Sequence, residues 1–287
     1  MQNMRFPKTF LGLNLSQHKD GSISIDQMGY IDRLLIRFRM SDAYGADAPI
    51  NSSVKLLKAT PQDKQCEIKL YQELVGSLNH LATFSHFDIA NAVSRLSQFL
   101  QDPSEAHWTA ARHVLRYLKR YRNLCITYGR ERELSVLGYS DADWASDPND
   151  RKSFTGYVFM INEGAVSWSS HKQPTVATST TAAEYMAMSD TSREVVARLH
   201  LFEELNINIP TPVVLCDSTG ALVVSEDPTN YQRTKHIDIR YHYIRYVIKN
   251  GQVTINHVPG DENPADLLTK ALGPNRHQKL LTSLNFQ

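Results

Sequence analysis

The chain has 287 residues, 41% of them hydrophobic and 21% charged, which is close to the average for soluble globular domains. That balance excludes wholesale disorder, and the length allows a buried core without staples. Lys plus Arg total 31 against 30 for Asp plus Glu, a formal net charge of +1, so any nucleic-acid footprint has to be local.

The three cysteines, Cys66, Cys125 and Cys216, form neither CxxC pairs nor Cys/His clusters of zinc spacing, which points to a reducing compartment. No run approaches the roughly 18 apolar residues of a spanning helix, and the N-terminal MQNMRFPKTF lacks a signal-peptide core. The expectation is an intracellular protein, cytoplasmic or nuclear, neither secreted nor held in a membrane.

In chain order, FLGLNL and SISID alternate apolar and polar residues around HKDG, whose Asp20-Gly21 suits a tight hairpin turn. QMGYIDRLLIRFRM has helical periodicity, with Ile31, Leu34, Leu35 and Phe38 on one face. The stretch SDAYGADAPINSSVKLLKATPQ reads as a connector. Residues Leu70 to Leu100 are helical in pattern, with a break near Ser85 to Phe87. A further helix begins near Pro103, with Trp108, Ala111, Leu115 and Leu118 as its apolar stripe. Arg112, Arg116 and Arg120 line another face, joined by Lys119, and the run from Ala111 to Asn123 holds five Arg or Lys and no acid. That row reads as a phosphate-backbone track, against the plainer alternative of a solvated helix face.

After Gly129-Arg130 the pattern changes. LSVLGYS, SFTGYVFMI and AVSWSS read as an antiparallel meander, with a turn at Asn162-Glu163-Gly164. A helix of about 25 residues follows from Ser179 to Leu205, then the strand PVVLCD, a short helix STGALVVS and a longer one from Lys235 to Asn250. The strand QVTINHV and the helix NPADLLTKAL close the pattern. The order β-β-β-α-β-α-α-β-α is that of an α/β fold, a mixed sheet carrying helices on its faces.

Four carboxylates fall at informative places. Asp141 and Asp217 end apolar strands, Glu184 lies in the helical TTAAEYMAMSD, and Asp266 opens NPADLLTKAL. In open α/β sheets, strand ends of this kind gather ligands. Each aspartate alone is explicable as a cap or turn residue. Glu184, among Ala182, Ala183, Met186 and Ala187, is a charge that needs a partner. Neighbouring carboxylates repel unless a cation joins them, and a ligand set without His or Cys favours magnesium or manganese over zinc. Jointly they form the pattern of a two-metal phosphodiesterase.

YSDADWASD, SWSSHKQPTVATSTTAAEYMA, LCDSTGAL, KHIDIRYHYIR and HVPGDENPADLLTKAL resemble the ribonuclease H domain of copia-type LTR retrotransposon Pol polyproteins, over about residues 131 to 272. FLGLNL, YIDRLLIRF and the run from YQELVGSLNHLATF to HVLRYLK resemble the reverse transcriptase thumb and connecting region of the same polyproteins. The resemblance implies two domains, a mainly helical thumb/connection segment with a β-hairpin at 1–130 and a ribonuclease H-like fold at 131–287, with a mixed five-stranded sheet flanked by helices.

It also implies that Asp141, Glu184, Asp217 and Asp266 are the catalytic carboxylates, binding two magnesium (or manganese) ions, with Asp143 as the fallback for Asp141. The implied reaction is endonucleolytic hydrolysis of the RNA strand of an RNA–DNA hybrid, RNA being told from DNA by its 2′-hydroxyl. Ser179, Thr180, Ser218 and His236 join the basic row as candidate nucleic-acid contacts, with His242 beside His236. His257 precedes the Gly-turn on a strand, where a structural role is expected. The Tyr-x-Asp-Asp motif of polymerase palms is absent from the sequence, so a complete reverse transcriptase is not expected, and a palm region of a parent polyprotein is the implied partner. The alternative is a silent retroelement remnant acting as a nucleic-acid-binding or interaction module, and an integrase-type reading is disfavoured by Glu184 lying on the first long helix.

Overall fold

The computed structural model describes residues 6–129, 134, 136–226 and 239–286. The backbone divides into two compact units, one of Met1–Arg130 with Ala271–Gln287 and one of Glu131–Lys270.

In the first unit, β1 (Thr9–Phe10), β2 (Leu13–Gln17), β3 (Ile23–Asp26) and β4 (Ile126–Tyr128) form an antiparallel sheet in that order. The expected turn between β2 and β3 forms at Asp20-Gly21, where Gly21 takes φ +91° and the Asp20 carboxylate accepts the Ser22 N–H at 2.9 Å. Helices α1 (Met28–Arg37), α2 (Ile68–Phe84), α3 (Ala90–Ser97) and α4 (Glu105–Arg120) bury Ile31, Leu34, Leu35, Leu74, Leu78, Leu81, Val93, Leu96, Leu115 and Leu118. The break expected near Ser85 falls there, as α2 ends at Phe84 and a 3-10 turn occupies Phe87–Ile89. Ser104 caps α4 reciprocally with His107. Two features depart from the sequence reading. The hairpin grows into four strands because Thr9–Phe10 pair with Leu13 and Asn14 on one side and Ile126–Tyr128 pair with Ile23–Ile25 on the other. Residues 271–287, expected in the second domain, belong to the first unit: α8 (Pro274–Ser283) buries Leu280 and Leu281, and Phe286 packs its ring 4.6 Å from that of Phe87.

In the second unit, β5 (Val136–Asp143), β6 (Phe154–Ile161), β7 (Gly164–Lys172), β8 (Val213–Cys216) and β9 (Thr254–His257) form one sheet in the order β7-β6-β5-β8-β9. The first three strands are the expected meander, antiparallel to one another, while β5, β8 and β9 run parallel. Parallel neighbours need crossovers, supplied by α5 (Thr180–Glu204) between β7 and β8, and by α6 (Thr219–Glu226) and α7 (Tyr243–Lys249) between β8 and β9. Small residues let α5 lie close to the sheet, with Ala182, Ala183 and Ala187 buried. Thr191 and Ser192 return their hydroxyls to the carbonyls of Ala187 and Met188 at 2.9 and 2.8 Å, whereas the buried Ser189 hydroxyl has no hydrogen-bond partner among the described residues.

Two local expectations are corrected. NPADLLTKAL is not an α-helix: Pro264–Leu268 is a 3-10 turn capped by Asn263, whose side chain accepts the Ala265 N–H, and the α-helix comes later at Pro274. Asp141 lies inside β5 rather than at its end, because pairing with β6 continues through Asp141↔Gly156, Ala142↔Thr155 and Asp143↔Phe154. Of the helix expected from Lys235, the part before Ile239 lies outside the described residues; a 3-10 turn at Ile239–His242 leads into α7. Among the described residues, no helix is long and apolar enough to cross a membrane.

Candidate active site

The second unit gathers all four expected carboxylates around the middle of its sheet. Asp141 enters from β5, Asp217 follows β8 directly, and β5 and β8 are parallel neighbours with Ser140 opposite Cys216. Glu184 comes from the second turn of α5. Asp266 comes from the 3-10 turn, which Asn263 ties to β5 through a 2.9 Å bond from its side-chain amide to the Ser140 carbonyl. Asp141, Glu184 and Asp266 are buried, at 0%, 8% and 2% exposure, while Asp217 is partly exposed.

Close approach depends on two glycines. Gly156 faces the 3-10 turn, and a Cβ there would lie 2.7 Å from both Leu268 Cβ and Thr269 Cγ2. At Gly260 a Cβ would lie 3.0 Å from Asp217 Oδ2, so the turn at Gly260–Glu262 approaches that carboxylate closely and a side chain there would push against it.

The electrostatics follow from this crowding. Burial, followed by repulsion from Asp141 and Asp217, pushes the Glu184 carboxyl up to about 9. Burial likewise raises Asp141 to about 6, with Asp266 and Asp217 adding to it and Lys270 and the Thr269 hydroxyl opposing it. The Lys270 ammonium donates to Asp141 Oδ1 at 3.2 Å and closely to Asp266 Oδ1. The Thr269 hydroxyl donates closely to Asp141 Oδ2. Burial lowers the Lys270 pKa, but Asp141 and Asp266 together outweigh it and hold the ammonium firmly protonated. Glu184 Oε2, an Asp217 oxygen and Cys216 Sγ lie within 4.8 Å of one another. Burial pushes the Cys216 thiol well up, so it is a neutral neighbour and the ligand set stays oxygen-rich.

That set fits a hard divalent cation. Among the described residues, three buried carboxylates and a fourth beside them share the ammonium of Lys270, so acid groups are crowded in a place shielded from water and the carboxyls of Asp141 and Glu184 are raised in consequence. Oxygen donors of this kind suit magnesium or manganese.

The other expected contacts are placed as follows. The Ser179 hydroxyl accepts the Ala182 N–H at 3.1 Å and caps α5, and the Ser218 hydroxyl accepts the Ala221 N–H at 3.2 Å and caps α6. Thr180 is exposed at the start of α5. His236 lies outside the described residues. His242 pairs its Nδ1 with the Tyr185 hydroxyl at 2.9 Å, and His257 is an exposed residue ending β9. In the first unit, Arg112 is exposed, whereas its companions fasten the connector onto α4. Arg116 donates to the Tyr44 carbonyl at 2.8 Å, Lys119 to those of Ser41 and Ala43 at 2.5 and 2.8 Å, and Arg120 meets Asp47 at 2.9 Å. Sequence reasoning missed Asn263, Thr269, Lys270 and Gly156. Only the Asn-Pro pair, a cap followed by a first-turn proline, carried a signal.

The fold is that of an α/β protein whose mixed five-stranded sheet is flanked by helices. The retrovirus-related Pol polyprotein of the tobacco (Nicotiana tabacum) transposon TNT 1-94 is 36% identical over 284 residues, covering 97% of this chain and 21% of that protein. That of transposon RE1 from Arabidopsis thaliana is 37% identical over 276 residues, covering 96% of this chain and 19% of that protein. Over nearly its whole length the chain is similar to one part of the Pol polyproteins of copia-type LTR retrotransposons, and it spans about a fifth of the length of these relatives. No protein-family model matches it. Among solved structures, LC11-RNase H1, isolated from compost by a metagenomic approach, is 16% identical with a TM-score of 0.35, covering 51% of this chain and 98% of that one. The same enzyme in complex with an RNA/DNA hybrid is 18% identical with a TM-score of 0.33, covering 47% and 94%.

Proposed function

We propose that the second unit hydrolyses the RNA strand of RNA–DNA hybrids inside the cell, with Asp141, Glu184, Asp217 and Asp266 holding two divalent ions. The observation that carries this reading is the convergence of four carboxylates, three of them buried, from two neighbouring parallel strands, helix α5 and the 3-10 turn. Burial and mutual repulsion raise Asp141 and Glu184 far above ordinary carboxyls, and an arrangement so costly to folding is accounted for by cations that relieve it. The likeness to Pol polyproteins supports the substrate class.

Bound magnesium would supply charge neutralisation at the scissile phosphate and an acidified water. The chain's own groups do the positioning. Asp141 is held at Oδ2 by Thr269 and at Oδ1 by Lys270, and would be one of the residues to hold the metal. Glu184 takes an N–H from Ala142, which fixes its carboxylate near Asp217 and Cys216. Asp217, partly exposed, is the carboxylate nearest to solvent and therefore to an incoming backbone. Asp266 rides on a turn that Asn263 and Gly156 seat against β5 and β6. Ser179, Thr180, Ser218 and His236 contact the hybrid in this reading, and Arg112, Arg116, Lys119 and Arg120 meet its backbone where their ties to the connector leave donors over.

The test is cleavage of a labelled RNA–DNA hybrid by the full chain and by Asp217→Asn. The variant retains hybrid binding and loses roughly 10²-fold or more in cleavage, the size of a lost carboxylate–metal contact in a metal-assisted step. Equal cleavage by parent and variant would sink the assignment.

A further inference from the structure

Resting on that metal-dependent reading, we propose that Lys270 is a positioning residue that acts as the site's resident cation: its ammonium holds Asp141 and Asp266 together without metal and has to withdraw when a divalent ion binds, so it sets the metal affinity.

Three observations carry the proposal. The ammonium bridges one oxygen from each carboxylate, Asp141 Oδ1 at 3.2 Å and Asp266 Oδ1 more closely, and these oxygens come from elements far apart in sequence. Both acids are almost wholly buried, at 1% and 3% side-chain exposure, whereas the lysine side chain is 34% exposed. The lysine is thus at the mouth of the site and the acids are inside it. Thr269, the residue before, donates to the other oxygen of Asp141, so Oδ1 is the oxygen left for a cation.

An ordinary surface pair contributes little, because water screens both partners. Here the acids are dehydrated, and removing the Lys270 ammonium between them leaves like charges in contact. A divalent ion ligated by the same oxygens would sit within a few ångströms of Nζ, where the two cations repel strongly. One of them has to leave. Lysine suits the part, since its charge is a compact point on a flexible four-carbon stem that can move into water, unlike the rigid fork of arginine. The 3-10 turn ends at Leu268, so the stem starts just beyond the rigid element that fixes Asp266.

The test uses the full chain and magnesium alone, with no substrate. Calorimetric titration compares the parent with Lys270→Met, which keeps the stem and removes the charge. The variant binds magnesium about ten-fold more tightly, the order expected from removing one adjacent positive charge in a partly screened site. Its metal-free form melts below the parent and gains more in Tm on magnesium addition. Lys270→Arg restores the metal-free Tm toward that of the parent. Independently of any variant, the Lys270 side-chain NMR signals of the parent move toward free-lysine values as magnesium is added. Parent-like or weaker magnesium binding by a folded Lys270→Met, or Lys270 signals that stay fixed at saturating magnesium, would overturn the proposal while leaving the metal site standing. Magnesium binding by neither protein would overturn both.

Discussion

At the scale of single residues, the site is defined by what Asp141 and Glu184 give up to be buried. Glu184 is shifted from an ordinary 4.5 to about 9 and Asp141 from 3.8 to about 6, so the folded, metal-free chain binds these protons more tightly than the unfolded chain does. The stability they contribute is complete below about pH 4 and is lost progressively as pH rises toward 9. Glu184→Gln removes the larger share of this loss. In chelator, its Tm advantage over the parent grows across that window and corresponds to about 1–3 kcal/mol at the upper end. A Tm difference that is flat with pH would contradict the shift. The sequence made Glu184 conspicuous because its neighbours are alanine and methionine. It gave no hint of Lys270 or Thr269, whose partner Asp141 lies 129 and 128 positions away. A side-chain bond over such a span leaves no local periodicity to read.

At the scale of elements, the strands and long helices were legible because their apolar periods are long and their turn residues specific. The 25-residue helix α5, the turn at Gly21 and the three-stranded meander follow from pattern alone. The 3-10 turn carrying Asp266 was misread as an α-helix. ADLLTKAL has good helix formers, but Gly273-Pro274 interrupts it, and the packing of Leu268 and Thr269 over Gly156 fixes the tighter form. The strand β4 was missed because three residues are too few for alternation to register. Gly156 tests the element-level account. Gly156→Ala puts a methyl group 2.7 Å from Leu268 Cβ and 3.0 Å from the Leu268 backbone carbon, so the turn must shift. The cost is about 1–3 kcal/mol, accompanied by weaker magnesium binding although Gly156 is no ligand. A variant with parental magnesium affinity would show that the turn does not seat Asp266.

At the scale of the whole molecule, the chain folds into two units, and the basic helix expected to track a phosphate backbone spends Arg116, Lys119 and Arg120 on holding a connector. Composition could not distinguish these uses, because a cation facing carbonyls and one facing phosphates look alike in sequence. The last residues return to the first unit, where Phe286 is 1% exposed and packs against Phe87. Phe286→Ala therefore destabilises that unit by about 3–5 kcal/mol, measured as faster amide exchange in α2 and α4; unchanged exchange there would refute the assignment. The central claim belongs to the second unit, that its carboxylates form a metal-dependent nuclease site. It is tested most directly by incubating the full chain with an RNA–DNA hybrid while magnesium is titrated from zero. The account predicts cleavage confined to the RNA strand that is absent in chelator and rises with magnesium, and a chain that binds both magnesium and the hybrid yet leaves the RNA intact would contradict it.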